Sequence, residues 1–176
     1  MRRREQRRAR QGQFGHFVGV DSSEEWYTPR VIFDALGEQF DLDPCSPVDG
    51  PLPWIPAAEQ MTKLQDGLLQ EWFGFVWMNP PYGTATPVWM RRMIDHGHGI
   101  ALVYARTDTY WFHEAALAAS AVCFVKGRIR FVDRNETEQA SGRPGAGSAL
   151  FGFGPRGATA VNRCNLGWMA QTRHEP

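Results

Sequence analysis

Apolar positions first recur at helical spacing at Val31, Ile32, Ala35 and Leu36, between Thr28-Pro29 and Gly37. Thr is a capping residue, Pro is pre-set for a first helical turn and Gly suits a helix end, so the spacing predicts a helix. A short strand, Phe40 to Leu42, is expected next. Five prolines, at 44, 47, 51, 53 and 56, then crowd the stretch from Asp43 to Pro56, a density that argues against helix or central strand and predicts a rigid irregular loop.

Beyond that loop the pattern becomes one of buried strands alternating with helices. Gly74 to Met78 is a continuous apolar run of strand length, as expected of a strand covered on both faces, and it runs directly into Asn79-Pro80-Pro81-Tyr82. Residues 87 to 95 suit a helix, Gly99 to Tyr104 a second buried strand, and Asp108 to Ala119 a second helix. Ala121 to Val125 and Arg128 to Val132 flank Lys126-Gly127, which predicts a hairpin, and Ala149 to Phe153 is a last strand. Residues 133 to 147 are rich in Gly, Ser and charge and are expected to be a loop. The alternation predicts an α/β fold, mostly parallel, with an antiparallel hairpin at one edge.

Composition adds bounds. A chain of 176 residues with 43% hydrophobic and 12% aromatic side chains has the size and content of one compact domain. No apolar run has the length of a membrane span, and Cys45, Cys123 and Cys164 stand apart without any C-x-x-C pairing, so a reduced cytoplasm is expected, with neither disulfides nor a metal site. The histidines at 96, 98 and 113 lack the partners of a metal set and read as solvated helix-end residues. The formal charge is zero but unevenly placed. The first ten residues hold six Arg and one Glu, leaving 13 basic and 18 acidic residues in the rest, a net −5. The organisation expected is a disordered basic arm over residues 1–23, a folded domain over 24–155 and a C-terminal extension over 156–176. Such an arm suits phosphate backbones and equally serves as a solubilising tail.

Two polar clusters fall at strand ends: Asp41-Leu-Asp43-Pro44-Cys-Ser46 and Asn79 to Tyr82. In open α/β sheets, ligands bind beyond the carboxyl ends of the strands, so both are candidates for one site. Asn79 offers a side-chain carbonyl, and two successive prolines fix the direction of the Pro80 carbonyl before any ligand arrives. Two such acceptors can hold a planar amine by its two N–H groups, and Tyr82 offers a face on which a base stacks. The same four residues also make an ordinary turn after a strand, and Asp43 before Pro44 also fits a turn.

The ordered set Glu25-Trp26-Tyr27-Thr28-Pro29, Asp41-Leu42-Asp43-Pro44, Asp66-Gly67-Leu68, Trp77 to Gly83, Thr107-Asp108-Thr109 with Trp111-Phe112, and Gly127 to Phe131 resembles the phage-type DNA adenine-N6 methyltransferases of the Dam family. The similarity spans roughly residues 24 to 154. It implies an abridged Rossmann-like methyltransferase sheet, S-adenosylmethionine as cofactor, DNA as partner and a bacterial host cytoplasm as location. By the resemblance Tyr27, Thr28 and Pro29 wrap the cofactor's methionine end, Asp43 and Pro44 form its first-strand site, Asp66 accepts its adenine amine, and Asn79, Pro80, Pro81 and Tyr82 form the catalytic loop. Arg91, Arg92, Arg128 and Arg130 are the candidate DNA contacts, with a solvated strand face the alternative for the last two.

Three departures bear on that resemblance. The Gly-rich turn after the first strand is replaced by Asp-Pro-Cys-Ser-Pro. Only 22 residues separate Asp43 from Asp66, too few for two strands with helical crossovers, so the sheet is expected to be abridged, with Glu59 a weak candidate for gripping a ribose. No separate target-recognition domain fits, which leaves recognition to the 133–147 loop, Arg91 and Arg92, or the basic arm. The same loop chemistry also suits adenine in RNA or a protein glutamine, and a non-catalytic DNA-binding module is the reading from another class.

Overall fold

The strongest strands form where every side chain is apolar or small, because only such residues tolerate burial on both faces. In the computed structural model, which describes residues 27–47, 50–133, 135 and 146–170, these are β3 (Val76–Met78), β4 (Gly99–Tyr104) and β6 (Ser148–Phe153). Around them lie α1 (Arg30–Leu36), β1 (Phe40–Ser46), β2 (Ala57–Thr62), α2 (Thr86–His96), α3 (Tyr110–Ala118), β5 (Ala121–Val125), α4 (Gly154–Arg163) and β7 (Gly167–Ala170). The basic arm and most of the 133–147 loop lie outside the described residues.

The strands form one seven-stranded sheet in the order β2-β1-β3-β4-β6-β5-β7. The pairs from β2 to β4 are parallel, and those of β6 with β4 and β5, and of β5 with β7, are antiparallel. Period-two alternation sorts the core into two layers. Phe75, Trp77, Ile100, Leu102, Cys123 and Leu150 point to the face covered by Ile32, Phe33 and Leu36 of α1 and Ala160 and Val161 of α4. Val76, Met78, Ala101, Val103, Val122 and Phe151 point to the opposite face, under Trp89, Met90 and Met93 of α2 and Phe112 and Ala115 of α3. The architecture is mixed α/β, three layers deep.

The connections around β2 explain how a short chain closes this sheet. Residues 47–56 cross from β1 to a parallel neighbour, with no helix among their described residues, and residues 63–75 cross back without one. Single aromatic side chains do the covering that helices would do. Trp54 joins Leu52 and Ile55 on one face, while Trp72 packs on the other and stacks on Trp89 at 6.1 Å. Gln60 of β2 binds the proline-rich crossover, its amide meeting Leu52 N and O at 2.9 and 3.0 Å.

Several expectations are corrected. β1 does not stop at Leu42: Asp43 to Ser46 continue it as an interior strand, and Pro44 is tolerated because the pairing with β2 shifts register between Asp43 and Ser46, where a missing N–H costs no ladder bond. Thr28 does not cap α1; Pro29 occupies the cap position without a side-chain bond. The hairpin at Lys126-Gly127 does not form. Residues 128–132 are irregular apart from one bridge of Val132 to Tyr27, and β5 pairs instead with β6 and β7.

β2, α4 and β7 carry no signal that the apolar pattern exposes. β2 is half polar and sits at an edge, where pairing with β1 supplies the order. α4 lies close on the sheet because a Cβ on Gly157 would meet the Gly99 carbonyl, and one on Gly152 would meet the carbonyl of Gly157. Arg163 at the end of α4 reaches back to the Leu36 carbonyl at 3.0 Å and to Glu38 at 2.7 Å, tying α4 to α1.

Candidate active site

Parallel strands all deliver their carboxyl ends to the same edge of the sheet, and β1 and β3 are neighbours, with Leu42 opposite Val76. Asp43, within β1 three residues before its carboxyl end, and the Asn79 loop, directly after β3, are thereby brought onto adjacent strands. Asp43 is 2% exposed and accepts the Cys45 N–H at 2.9 Å and the Ser46 hydroxyl at 3.4 Å. Burial disfavours the charged carboxylate and pushes its pKa up to about 7, against the opposing pull of the Cys45 and Ser46 hydrogen bonds. The single Ser46 hydroxyl proton is shared with Gln60 Oε1, 2.9 Å away, which links Asp43 to the proline-rich crossover.

That crossover holds the segment from Tyr27 to Pro29. The Trp54 indole donates to the Thr28 carbonyl at 3.0 Å, and its ring meets Tyr27 at 6.3 Å. The Thr28 side chain is buried, and its hydroxyl has no hydrogen-bond partner among the described residues. Asp66 reaches the same neighbourhood because Gly67 lies against Pro44 so closely that a Cβ there would strike the Pro44 carbonyl. Asp66 is exposed, at φ 51°, and its carboxylate accepts the Leu68 N–H at 3.2 Å. Glu59 faces Leu42 within β2 and is exposed, not at the strand's carboxyl end.

The Asn79 loop is held from several sides. The Tyr82 hydroxyl donates to Asn79 Oδ1 at 2.9 Å, and the Tyr82 ring stacks on Tyr104 at 3.8 Å with 11° between planes. Burial, with Tyr104 adding to it, pushes the Tyr82 phenol far above its ordinary range, so it stays a donor. Phe131 meets Tyr82 edge-on at 6.2 Å. The Thr86 hydroxyl donates to the Pro81 carbonyl at 3.1 Å, whereas the Pro80 carbonyl receives no hydrogen bond from the described residues. One face of Tyr82 is therefore already covered, which the sequence did not reveal.

The four arginines lie in two places, Arg91 and Arg92 on α2 and Arg128 and Arg130 after β5. Arg92 is committed within the protein, donating to the Gln70 carbonyl at 2.9 Å and lying 5.5 Å over Trp72. Arg91 forms an exposed pair with Asp95 at 3.2 Å. Arg128 and Arg130 are exposed on the segment whose Phe131 touches Tyr82 and whose Val132 is bridged to Tyr27. That segment therefore joins the two halves of the candidate site. His96 and His113 bond to the Gly74 and Thr107 carbonyls at 3.0 and 2.9 Å. Among the described residues no helix is long and apolar enough to cross a membrane.

The seven-stranded sheet, parallel from β2 to β4 and antiparallel beyond, with helices on both faces, puts the protein in the broad class of mixed α/β proteins. Within that class the chain belongs to the DNA N-6-adenine-methyltransferase (Dam) family, whose description matches residues 7–166. It is thus an enzyme that methylates N6 of adenine in DNA. A DNA N-6-adenine-methyltransferase of Haemophilus phage HP1 (strain HP1c1) is 26% identical over 148 residues, covering 74% of this chain and 79% of the relative. No solved structure matches the fold significantly.

Proposed function

We propose that Asn79, Pro80, Pro81 and Tyr82 hold the adenine amine during transfer, that Tyr27, Thr28, Pro29, Asp43, Pro44 and Asp66 hold S-adenosylmethionine, and that the sheet is an abridged Rossmann-like one. The observation that carries this reading is the juxtaposition of Asp43, within β1, and the Asn79 loop, directly after β3, on two adjacent parallel strands. The residues suit such a cofactor. The buried Asp43 carboxylate is bonded to its own strand end and gains from an ammonium partner, and the buried Thr28 hydroxyl has unused hydrogen-bonding capacity. When bound, the cofactor supplies a methyl group activated by a positively charged sulfur.

The chain's own part is orientation. The N6 lone pair of adenine is delocalised into the ring, and accepting its two N–H groups in fixed directions favours a geometry in which that pair points outward. Asn79 Oδ1 accepts one bond from Tyr82, and a carbonyl oxygen has two lone pairs, so one acceptor position remains for the amine. The Pro80 carbonyl is the second acceptor, fixed by the ring constraints of two prolines. Neither oxygen is basic enough to remove a proton, so the loop works by alignment, an effect worth several kcal/mol in favourable cases. Arg128 and Arg130 are the proposed phosphate contacts, since their segment borders Tyr82. Arg92 is withdrawn from that role by its bonds to Gln70 and Trp72, and the Arg91 pair with Asp95 is exposed and costs little to break.

Substituting Asn79→Ala is expected to lower methyl transfer by about a hundredfold or more, the scale of losing one preorganised transition-state contact, while cofactor affinity stays within a few-fold. Nucleoside mass spectrometry of plasmid DNA from cells expressing each form reads the first quantity, and calorimetry the second. Full activity in the variant removes the loop from the mechanism.

A further inference from the structure

β4 is held on both sides, paired along its length with β6 and over its first three residues with β3. Its last residue, Tyr104, lies opposite Ser148, and the pairing is extended by the Ala105 N–H bonding to the Gly147 carbonyl at 2.8 Å. Tyr82, by contrast, sits in a loop without regular structure, so neighbours must set its orientation. The two rings lie 3.8 Å apart and almost parallel, closer than the usual range for aromatic pairs. From that position the Tyr82 hydroxyl reaches Asn79 Oδ1, which turns the carbonyl end of the Asn79 amide toward Tyr82 and leaves one lone pair unused.

We propose, resting on the reading of Asn79 as an amine acceptor, that Tyr104 is a positioning residue for methyl transfer: its ring backs Tyr82, and Tyr82 in turn fixes the Asn79 amide. A base that stacks on Tyr82 does so on the face turned away from Tyr104, giving the order base, Tyr82, Tyr104. The strand thereby transmits its placement to a loop without regular structure. Tyr104 itself touches neither the amine nor the cofactor in this arrangement.

The test uses the full chain, with steady-state methyl transfer to DNA measured for Tyr104→Leu, Tyr104→Phe and Tyr82→Phe beside Asn79→Ala. Tyr104→Leu removes the flat surface and is expected to lower kcat on the order of tenfold with the KM for cofactor unchanged, as misalignment does. Tyr104→Phe keeps the ring and is expected to restore near-wild-type kcat. Tyr82→Phe keeps the stack but cuts the bond to Asn79, and its kcat is expected to fall by a similar factor. The double variant Tyr82→Phe with Tyr104→Leu is expected to lose less than the product of the two, since both act through one amide. An unchanged kcat in Tyr82→Phe, or in a Tyr104→Leu protein whose melting temperature and cofactor binding are normal, overturns the proposal; Tyr82→Phe decides the matter if Tyr104→Leu does not fold. Activity in Asn79→Ala marks the failure of the underlying reading instead.

Discussion

The parallel half of the sheet and the antiparallel half are built by different means and serve different ends. From β2 to β4 the strands send their carboxyl ends to one edge, and the polar clusters of Asp43 and Asn79 lie there, served by crossovers that include two without helices. From β6 to β7 the strands alternate direction, so no single edge collects their ends, and α4 lies tightly against them through Gly152 and Gly157. The first half carries the candidate site. The second half provides a close-packed buttress, joined to the first where β6 pairs along β4 up to Tyr104.

The sharpest way to break that contrast is to overfill the buttress. Gly157→Val sets a branched side chain against the Gly99 and Gly152 backbone, and overpacking of this kind costs about 3 kcal/mol, so a large drop in melting temperature is expected. A variant that melts like the wild type shows that α4 is free to shift outward. A smaller effect is expected from the crossover. Gln60→Leu removes the bonds to Ser46, Leu52 and Ile55 and is expected to destabilise by about 2 kcal/mol. Because Gln60 supports the site half, cofactor affinity is also expected to fall, whereas Gly157→Val is expected to act through stability alone. Equal cofactor affinity in folded Gln60→Leu removes that distinction.

The mildest probe is pH. Asp43 has its folded pKa raised to about 7 from 3.8, so the folded state holds the proton more tightly. Its contribution to stability is present below the lower value, declines as pH rises through the window, and is gone above about 7. A cationic ligand at Asp43 prefers the ionised form, so cofactor affinity is expected to weaken by up to about tenfold per pH unit below that pKa. Calorimetry one unit above and one unit below it reads the effect, and Asp43→Asn is expected to flatten the profile. A profile unchanged by that substitution assigns the titration to another group.

Much of this was legible in the chain itself. β3, β4, β5 and β6, both helices between β3 and β5, and the strand-end position of Asn79 follow from apolar runs and their spacing, because burial on both faces demands such runs. β2 was not legible, since Ala57 to Thr62 becomes a strand only through pairing with β1. The hairpin expected at Lys126-Gly127 failed because β6, distant in sequence, offered β5 a fully buried partner and left residues 128–132 to bridge Tyr27.

Within the site the division runs the same way. Sequence by itself determined the chemistry available: an amide, two prolines and a phenol after a buried strand, and an aspartate within the neighbouring one. Only the tertiary structure decided which of these groups meet. It stacked Tyr82 on Tyr104, turned the Tyr82 hydroxyl to Asn79, bound Arg92 to Gln70 and Trp72, and left the Thr28 hydroxyl buried without a partner among the described residues. The physical reason is that local patterns record how a segment meets water or a core, whereas contacts between segments depend on how the whole sheet is ordered.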